Sequence, residues 1–249
     1  MIAGGPLVAV IRFPGSNDDR DAGWALGALG ADPVLVWHEE TELPAGTGAV
    51  VLPGGFSYGD YLRSGAIASQ AHVMDAVRRF AEAGGPVLGI CNGFQILCEA
   101  RLLPGVLRAN HQLEFVCRDV EVTVENADTP FARRCVAGQR LVLPVKHGEG
   151  AWYADEGHFV QLVSRGQIVL RYAEDVNGAL GNVAGVVNEA GNVMGLMPHP
   201  EHAVYPLLGS GDGGLLLGGF VDAAVTHVGT RASQKALRET SLLEPERRA

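Results

Sequence analysis

The segment Pro86-Val87-Leu88-Gly89-Ile90-Cys91-Asn92-Gly93-Phe94-Gln95 sets a cysteine between an apolar run and a helical pattern, in the arrangement Gly-x-Cys-x-Gly. A nucleophile there sits on a sharp strand-to-helix turn, and glycines two residues before and after it let the two backbones approach without Cβ clashes. The thiol is then presented at the carboxyl edge of a sheet. Helix N-terminal amides and their dipole stabilise a thiolate, and the N–H of Asn92 is placed to donate to an oxyanion formed at the carbon that the sulfur attacks. The residues alone leave a second reading open, a small core cysteine packed between glycines. Gln95 falls one helical turn after Cys91 on the same side, where it either reaches a molecule bound at the thiol or faces solvent.

A cysteine nucleophile needs a general base, usually an imidazole held in one tautomer by a third group. Met197-Pro198-His199-Pro200-Glu201-His202 supplies one. Pro200 pushes His199 toward extended geometry, and in an extended segment His199 and Glu201 share a face, so the carboxylate orients the ring. A metal site built from His199, Glu201 and His202 is the weaker alternative, because adjacent ligands on an extended chain diverge and no H-E-x-x-H pair is present. No metal is expected. His147, in His147-Gly148-Glu149-Gly150, stays open as a structural residue, a substrate-loop residue or a second base. The turn Pro53-Gly54-Gly55-Phe56 ends the apolar run Val50-Val51-Leu52 and can tilt a second backbone N–H toward the thiol. It is no phosphate loop: the chain has no G-x-x-x-x-G-K-[ST], and no strand leads into a G-x-G-x-x-G helix start.

The elements that must position these residues alternate along the first half. Apolar runs at Leu7–Phe13, Pro33–Trp37, Ala49–Leu52 and Pro86–Ile90 read as buried strands. Helical stripes over Ala22–Leu29, Gln70–Ala83 and Phe94–Leu102 lie between or after them, with Asn17 as the first helix's N-cap. That is a mostly parallel sheet flanked by helices. From Leu113 onward, Leu113, Phe115 and Cys117, then Val120, Val122 and Val124, alternate with polar residues, and Cys98 and Cys117 are expected in the core. Leu141–Val145, His158–Val163, Gln167–Tyr172, Val183–Val187 and Val193–Met197 read as further strands, with a helix between Asp212 and Val228. The expected organisation is one α/β domain over residues 1–230 with a β-rich elaboration, followed by a charged, solvated tail over 231–249.

Hydrophobic residues make up 47% of the 249 and charged residues 19%, which suits a packed core. Nineteen basic against twenty-eight acidic residues give −9, a field that repels nucleic acid. No apolar run is long enough to span a bilayer and the N-terminus lacks a signal-peptide pattern, so no membrane role and a cytoplasmic location are expected. The four cysteines show no C-x-x-C spacing, leaving at least one free for chemistry.

The strand-end Pro-Gly-Gly, Gly-Ile-Cys-Asn-Gly-Phe-Gln and Pro-His-Pro-Glu together resemble the class I glutamine amidotransferases, whose sheet is flavodoxin-like. Arg12-Phe13-Pro14-Gly15-Ser16-Asn17, the run from Leu52 to Arg63, His147-Gly148-Glu149-Gly150 and Met197-Pro198-His199-Pro200-Glu201 resemble more closely the glutaminase subunits of phosphoribosylformylglycinamidine synthases in purine biosynthesis. The likeness runs from about residue 7 to 226. It implies Cys91 as nucleophile, His199 as base, Glu201 as its orienter, Gly55 and Asn92 as oxyanion donors, and Gln95 and Gly54 as glutamine-binding residues. It also implies a large synthetase subunit that receives ammonia, a small bridging subunit, and ATP and magnesium used by the synthetase, with no cofactor in this chain. The chain departs from the common pattern at Asp18 and Ser64, where many members carry cysteine. Two alternatives stay open: another intracellular cysteine hydrolase of similar fold, and a non-catalytic docking subunit.

Overall fold

Residues 4–243 are described by a computed structural model, with side chains described as far as Ser233. In chain order the strands are β1 (Leu7–Arg12), β2 (Asp32–Trp37), β3 (Thr47–Leu52), β4 (Val87–Ile90), β5 (Val106–Arg108), β6 (Val116–Val124), β7 (Arg140–His147), β8 (Ala151–Tyr153), β9 (Ile168–Tyr172), β10 (Val183–Val187) and β11 (Val193–Leu196). The α-helices are α1 (Asp19–Ala28), α2 (Val73–Glu82), α3 (Asn92–Glu99), α4 (Glu156–Ser164) and α5 (Gly213–Leu243). One nine-stranded sheet runs β2-β1-β3-β4-β11-β10-β9-β6-β7, and β5 pairs with β8 in a small second sheet.

The first five strands of that order are parallel and the rest antiparallel. The runs Leu7–Ile11 in β1 and Gly48–Leu52 in β3, with β4 and β11, are apolar because layers cover them: α3 packs on β3, β4 and β11, α5 on β3, and α1 on β1 and β2. The antiparallel half curls back. β7, last in the order, brings the Pro144 carbonyl to the His199 N–H at 2.8 Å and the Lys146 carbonyl to the Cys91 sulfur at 3.8 Å. The parallel half thus presents the strand ends, and the antiparallel half closes over them.

Several local expectations are corrected. Residues 158–163 lie in α4, not in a strand: Asp155 caps it by accepting from the His158 N–H at 2.9 Å, Gly166 at φ 66° ends it, and the β-branched Val160 and Val163 face solvent. Asp18, not Asn17, stands at the N-cap of α1, and its side chain does not cap. Cys117 is exposed, because β6 is continuous from Val116 and its buried residues are Val120, Val122 and Val124, which puts odd-numbered positions on the opposite face. Cys98 is buried as expected. The last helix does not stop at Val228 but continues through the start of the expected tail to Leu243; residues 244–249 lie outside the described residues. Among the described residues no helix is long and apolar enough to cross a membrane.

Candidate active site

β4 ends at Ile90 and α3 begins at Asn92, which leaves Cys91 alone to make the turn, with φ 49° and ψ −103°. A non-glycine residue there is strained. Its surroundings hold it: the Cys91 N–H donates to the Leu196 carbonyl at 2.8 Å, and its own carbonyl accepts from the Phe94 and Gln95 N–H groups at 3.0 and 3.2 Å. The flanking glycines are sterically required. A Cβ on Gly93 would fall on the Leu52 carbonyl, and one on Gly89 would lie 2.6 Å from the Gly93 oxygen. The thiol is buried at the mouth of α3, whose first amides have no acceptor within the helix.

His199 and Glu201 are fully buried and joined by Nδ1–Oε1 at 2.6 Å. The extended path expected through them is corrected. His199, at φ −106° and ψ 88°, avoids helical geometry as a residue before proline must, but Pro200–His202 form a 3₁₀ turn that swings Glu201 back to the ring. Burial opposes a charge on His199, yet the neighbouring Glu201 and Cys91 carry its pKa up to about 10. The Nε2 atom is buried without a hydrogen-bond partner and is left for the thiol, which in this structure donates instead to the Lys146 carbonyl.

Behind the imidazole lies a group that the residue patterns did not reveal. Asp18, nearly fully buried, places Oδ2 3.7 Å from His199 Nδ1 and Oδ1 2.6 Å from Lys146 Nζ. His202 Nε2 lies 3.0 Å from Lys146 Nζ, 3.2 Å from Asp18 Oδ1 and 3.5 Å from Glu201 Oε1. Burial alone would raise the Asp18 pKa, but His202, His199 and Lys146 hold it well below the usual carboxylate range. Adjacent donors therefore do converge, contrary to the argument from an extended chain: donor atoms of Asp18, His199, Glu201 and His202 all lie within 4.8 Å of one another.

The glycine turn stands against Asp18 and the imidazole. The Gly54 carbonyl accepts from the Asn17 and Asp18 N–H groups at 3.2 Å each, and the Phe56 N–H donates to the Gly15 carbonyl at 2.9 Å. These bonds turn the Gly55 N–H away from residues 15–18. Gly54 abuts Asp18 and the His199 ring, so a side chain there would displace the base. Asn92 accepts from the Ser57 N–H at 3.1 Å and donates to Gln95 Oε1 at 2.8 Å, while Gln95 donates to the Glu149 carbonyl at 2.6 Å. Gln95 is thus buried beside the thiol and not a solvent-facing residue.

Glu149 accepts from Ser64 Oγ at 2.7 Å and stands near Asp60, whose pKa burial and the Glu149 charge push up to about 6, the Ser64 hydrogen bond opposing them. His147 is buried, its Nδ1 bonded to Asn110 Oδ1 at 3.0 Å. Burial, with the nearby His199 charge, lowers its pKa to about 4. Asn110 also ties the Glu114 and His147 carbonyls and the Gly150 N–H, so His147 anchors a loop.

Of the site residues singled out in the sequence, the structure brings Cys91, His199, Glu201, Gly54, Asn92 and Gln95 together through these contacts, and Gly55 follows Gly54 in the same turn, packed against residues 15–17. Asp18, Lys146 and Asp60 carried no role in that reading. The only signal for Asp18 was its departure from a family pattern, and Lys146 gave none, since a lysine near a strand end is ordinary.

Residues 5–210 match the CobB/CobQ-like glutamine amidotransferase domain. The chain is 57% identical over 206 residues to the phosphoribosylformylglycinamidine synthase subunit PurQ of Rubrobacter xylanophilus, covering 83% of this chain and 93% of that one. To the same subunit of Bradyrhizobium diazoefficiens it is 55% identical over 222 residues, covering 85% and 95%. Among solved structures, PurLQS from Thermotoga maritima contains a chain 41% identical, with TM-score 0.80, covering 90% of this chain and 99% of that one. On these matches the chain belongs to the CobB/CobQ-like glutamine amidotransferase family, among its phosphoribosylformylglycinamidine synthase PurQ subunits.

Proposed function

We infer that this chain hydrolyses the side-chain amide of glutamine and hands the ammonia to a synthetase partner. The partner converts formylglycinamide ribonucleotide to its amidine in purine biosynthesis. The observation that carries the reading is the thiol of Cys91 on a strained strand-to-helix turn beside His199, whose Nδ1 is held 2.6 Å from a buried carboxylate.

His199 Nε2 takes the thiol proton, and the sulfur attacks the amide carbon of glutamine. The carbonyl electrons move onto oxygen, where the N–H groups of Asn92 and Gly55 receive the oxyanion. Collapse returns the electron pair to the carbonyl and breaks the C–N bond as the imidazolium gives its proton to nitrogen, releasing ammonia. The glutamyl thioester stays on Cys91. His199 then deprotonates a water that attacks the thioester, and glutamate leaves as the thiol is reprotonated. Glu201 fixes the tautomer and stabilises the imidazolium through both halves. Gln95 and Gly54 line the glutamine side of the thiol. In this reading ATP and magnesium serve the synthetase, a small third subunit bridges the two, and the complex works in the cytoplasm.

The test is ammonia release from glutamine by the chain alone and in the assembled synthase. Cys91→Ala should abolish it in both settings. Release that survives this substitution would exclude the nucleophile and the reading with it.

A further inference from the structure

Asp18 sits at the N-cap of a ten-residue helix and does not cap it. An aspartate in that position normally accepts from the first-turn amides. Here it turns inward, nearly fully buried, where an ionised carboxylate is costly unless it is paired. Its Oδ1 meets Lys146 Nζ at 2.6 Å, and its Oδ2 lies 3.7 Å from the same His199 nitrogen that Glu201 holds at 2.6 Å. Lys146 has a second hold on the site, because its carbonyl accepts from the Cys91 thiol at 3.8 Å. One residue of β7 therefore fixes the second carboxylate with its side chain and the nucleophile with its backbone.

Resting on the proposed glutaminase reading, we propose that Asp18 is a positioning residue for the reaction: a second carboxylate, held by Lys146, that shares with Glu201 the stabilisation of the His199 imidazolium. Its backbone N–H donates to the Gly54 carbonyl, so the same residue ties the base to the oxyanion turn. Lys146 sets how much of the Asp18 charge the ring feels. Neutralising Asp18 destabilises the imidazolium, whereas removing the lysine charge exposes the ring to the full carboxylate.

The groups facing His199 are Glu201 and His202 on its own turn, Asp18 at the start of α1, Cys91 before α3, and Lys146 and His147 on β7. The pH profile of glutamine kcat/KM in the assembled synthase separates their effects. Its alkaline limb reports loss of the imidazolium proton. Asp18→Asn keeps an oxygen for Lys146 to bond and should move that limb down by about one pH unit, roughly tenfold in the imidazolium equilibrium. Lys146→Met should move it up. Opposite signs are what a merely structural role does not produce. Limbs that stay in place, or that move the same way in both variants, would overturn the inference, and if one variant fails to fold, the sign in the other decides. Failure of the unaltered complex to hydrolyse glutamine would instead overturn the proposed function itself.

Discussion

His199 bears its charge fully buried, so its chemistry depends on which anions face it. Glu201 Oε1 at 2.6 Å is the nearer and Asp18 Oδ2 at 3.7 Å the farther. His199→Asn removes the base and should lower kcat by about 10³-fold or more, as loss of a triad member does. Glu201→Gln should be milder, because the ring keeps an oxygen to bond and a second carboxylate nearby; equal losses in steady-state assays would show that Asp18 does not help. The raised His199 pKa also links stability to pH. A histidine whose pKa is near 6.5 unfolded and about 10 folded contributes stability that is complete below pH 6.5 and is lost as pH rises toward 10. The unfolding free energy should fall over that window by of the order of a few kcal/mol, read from denaturation curves at each pH, and the fall should be largely absent in His199→Asn. At this scale the triad was legible because its residues sit in short local motifs, Gly-x-Cys-x-Gly and His-Pro-Glu. Asp18 and Lys146 were not, since their meaning comes from a contact across 128 positions of sequence.

Helix α3 shows what the glycines of the nucleophile turn do. Gly93 lets its first turn rest on the end of β3, against Leu52, and Gly89 accepts the Gly93 carbonyl in the space of a missing Cβ. Gly93→Ala puts a methyl into a backbone oxygen that cannot yield, and should cost about 1–3 kcal/mol or more, read as a lower denaturant midpoint. Gly23→Ala is the contrast. It lies inside α1, its nearest neighbour would be Pro33 Cβ at 3.9 Å, and it should leave stability unchanged or raise it by up to about 1 kcal/mol. Equal losses at the two sites would mean that close packing at the turn is not what Gly93 provides. The parallel half was readable in outline because strands covered on both faces are apolar throughout. The elaboration was less so. The pattern of α4 reads as a strand because Val160 and Val163 favour β-structure, although the cap at Asp155 and Glu156 in the first turn point to a helix. The three-residue strands β5 and β8 carry too short a pattern to be seen.

Over the whole molecule, the oxyanion turn is continuous with an exposed loop. Gly55, Tyr58, Gly59, Asp60 and Leu62 all have positive φ, a run of costly conformations for the non-glycine members. The loop shows solvent Phe56, Tyr61 and Leu62, the last 85% exposed, and Phe56 stands 6.3 Å from the ring of exposed Phe115. Its Ser57 N–H is bonded to the Asn92 side chain, so movement of the loop is felt at both oxyanion residues. Flipping the Gly54–Gly55 peptide would break two hydrogen bonds from Asn17 and Asp18, about 1 kcal/mol each, so these bonds favour the donating orientation of the Gly55 N–H, and docking on the exposed loop can tighten its aim. No sequence pattern gives this coupling, because it joins a glycine pair to an apolar patch through a single side-chain bond. A glutaminase that ran without its synthetase would waste glutamine, and one oxyanion donor is worth roughly 10²–10³ in rate. If docking on the loop sharpens the aim of this donor, assembly with the synthetase and its nucleotide and amide substrates should raise kcat, with that range as the upper limit, while KM for glutamine changes less. Leu62→Ala should reduce this activation and leave the rate of the isolated chain as it was. An isolated chain already at full turnover, and unmoved by assembly, would show that the turn is set for catalysis from the start and that the loop carries no signal.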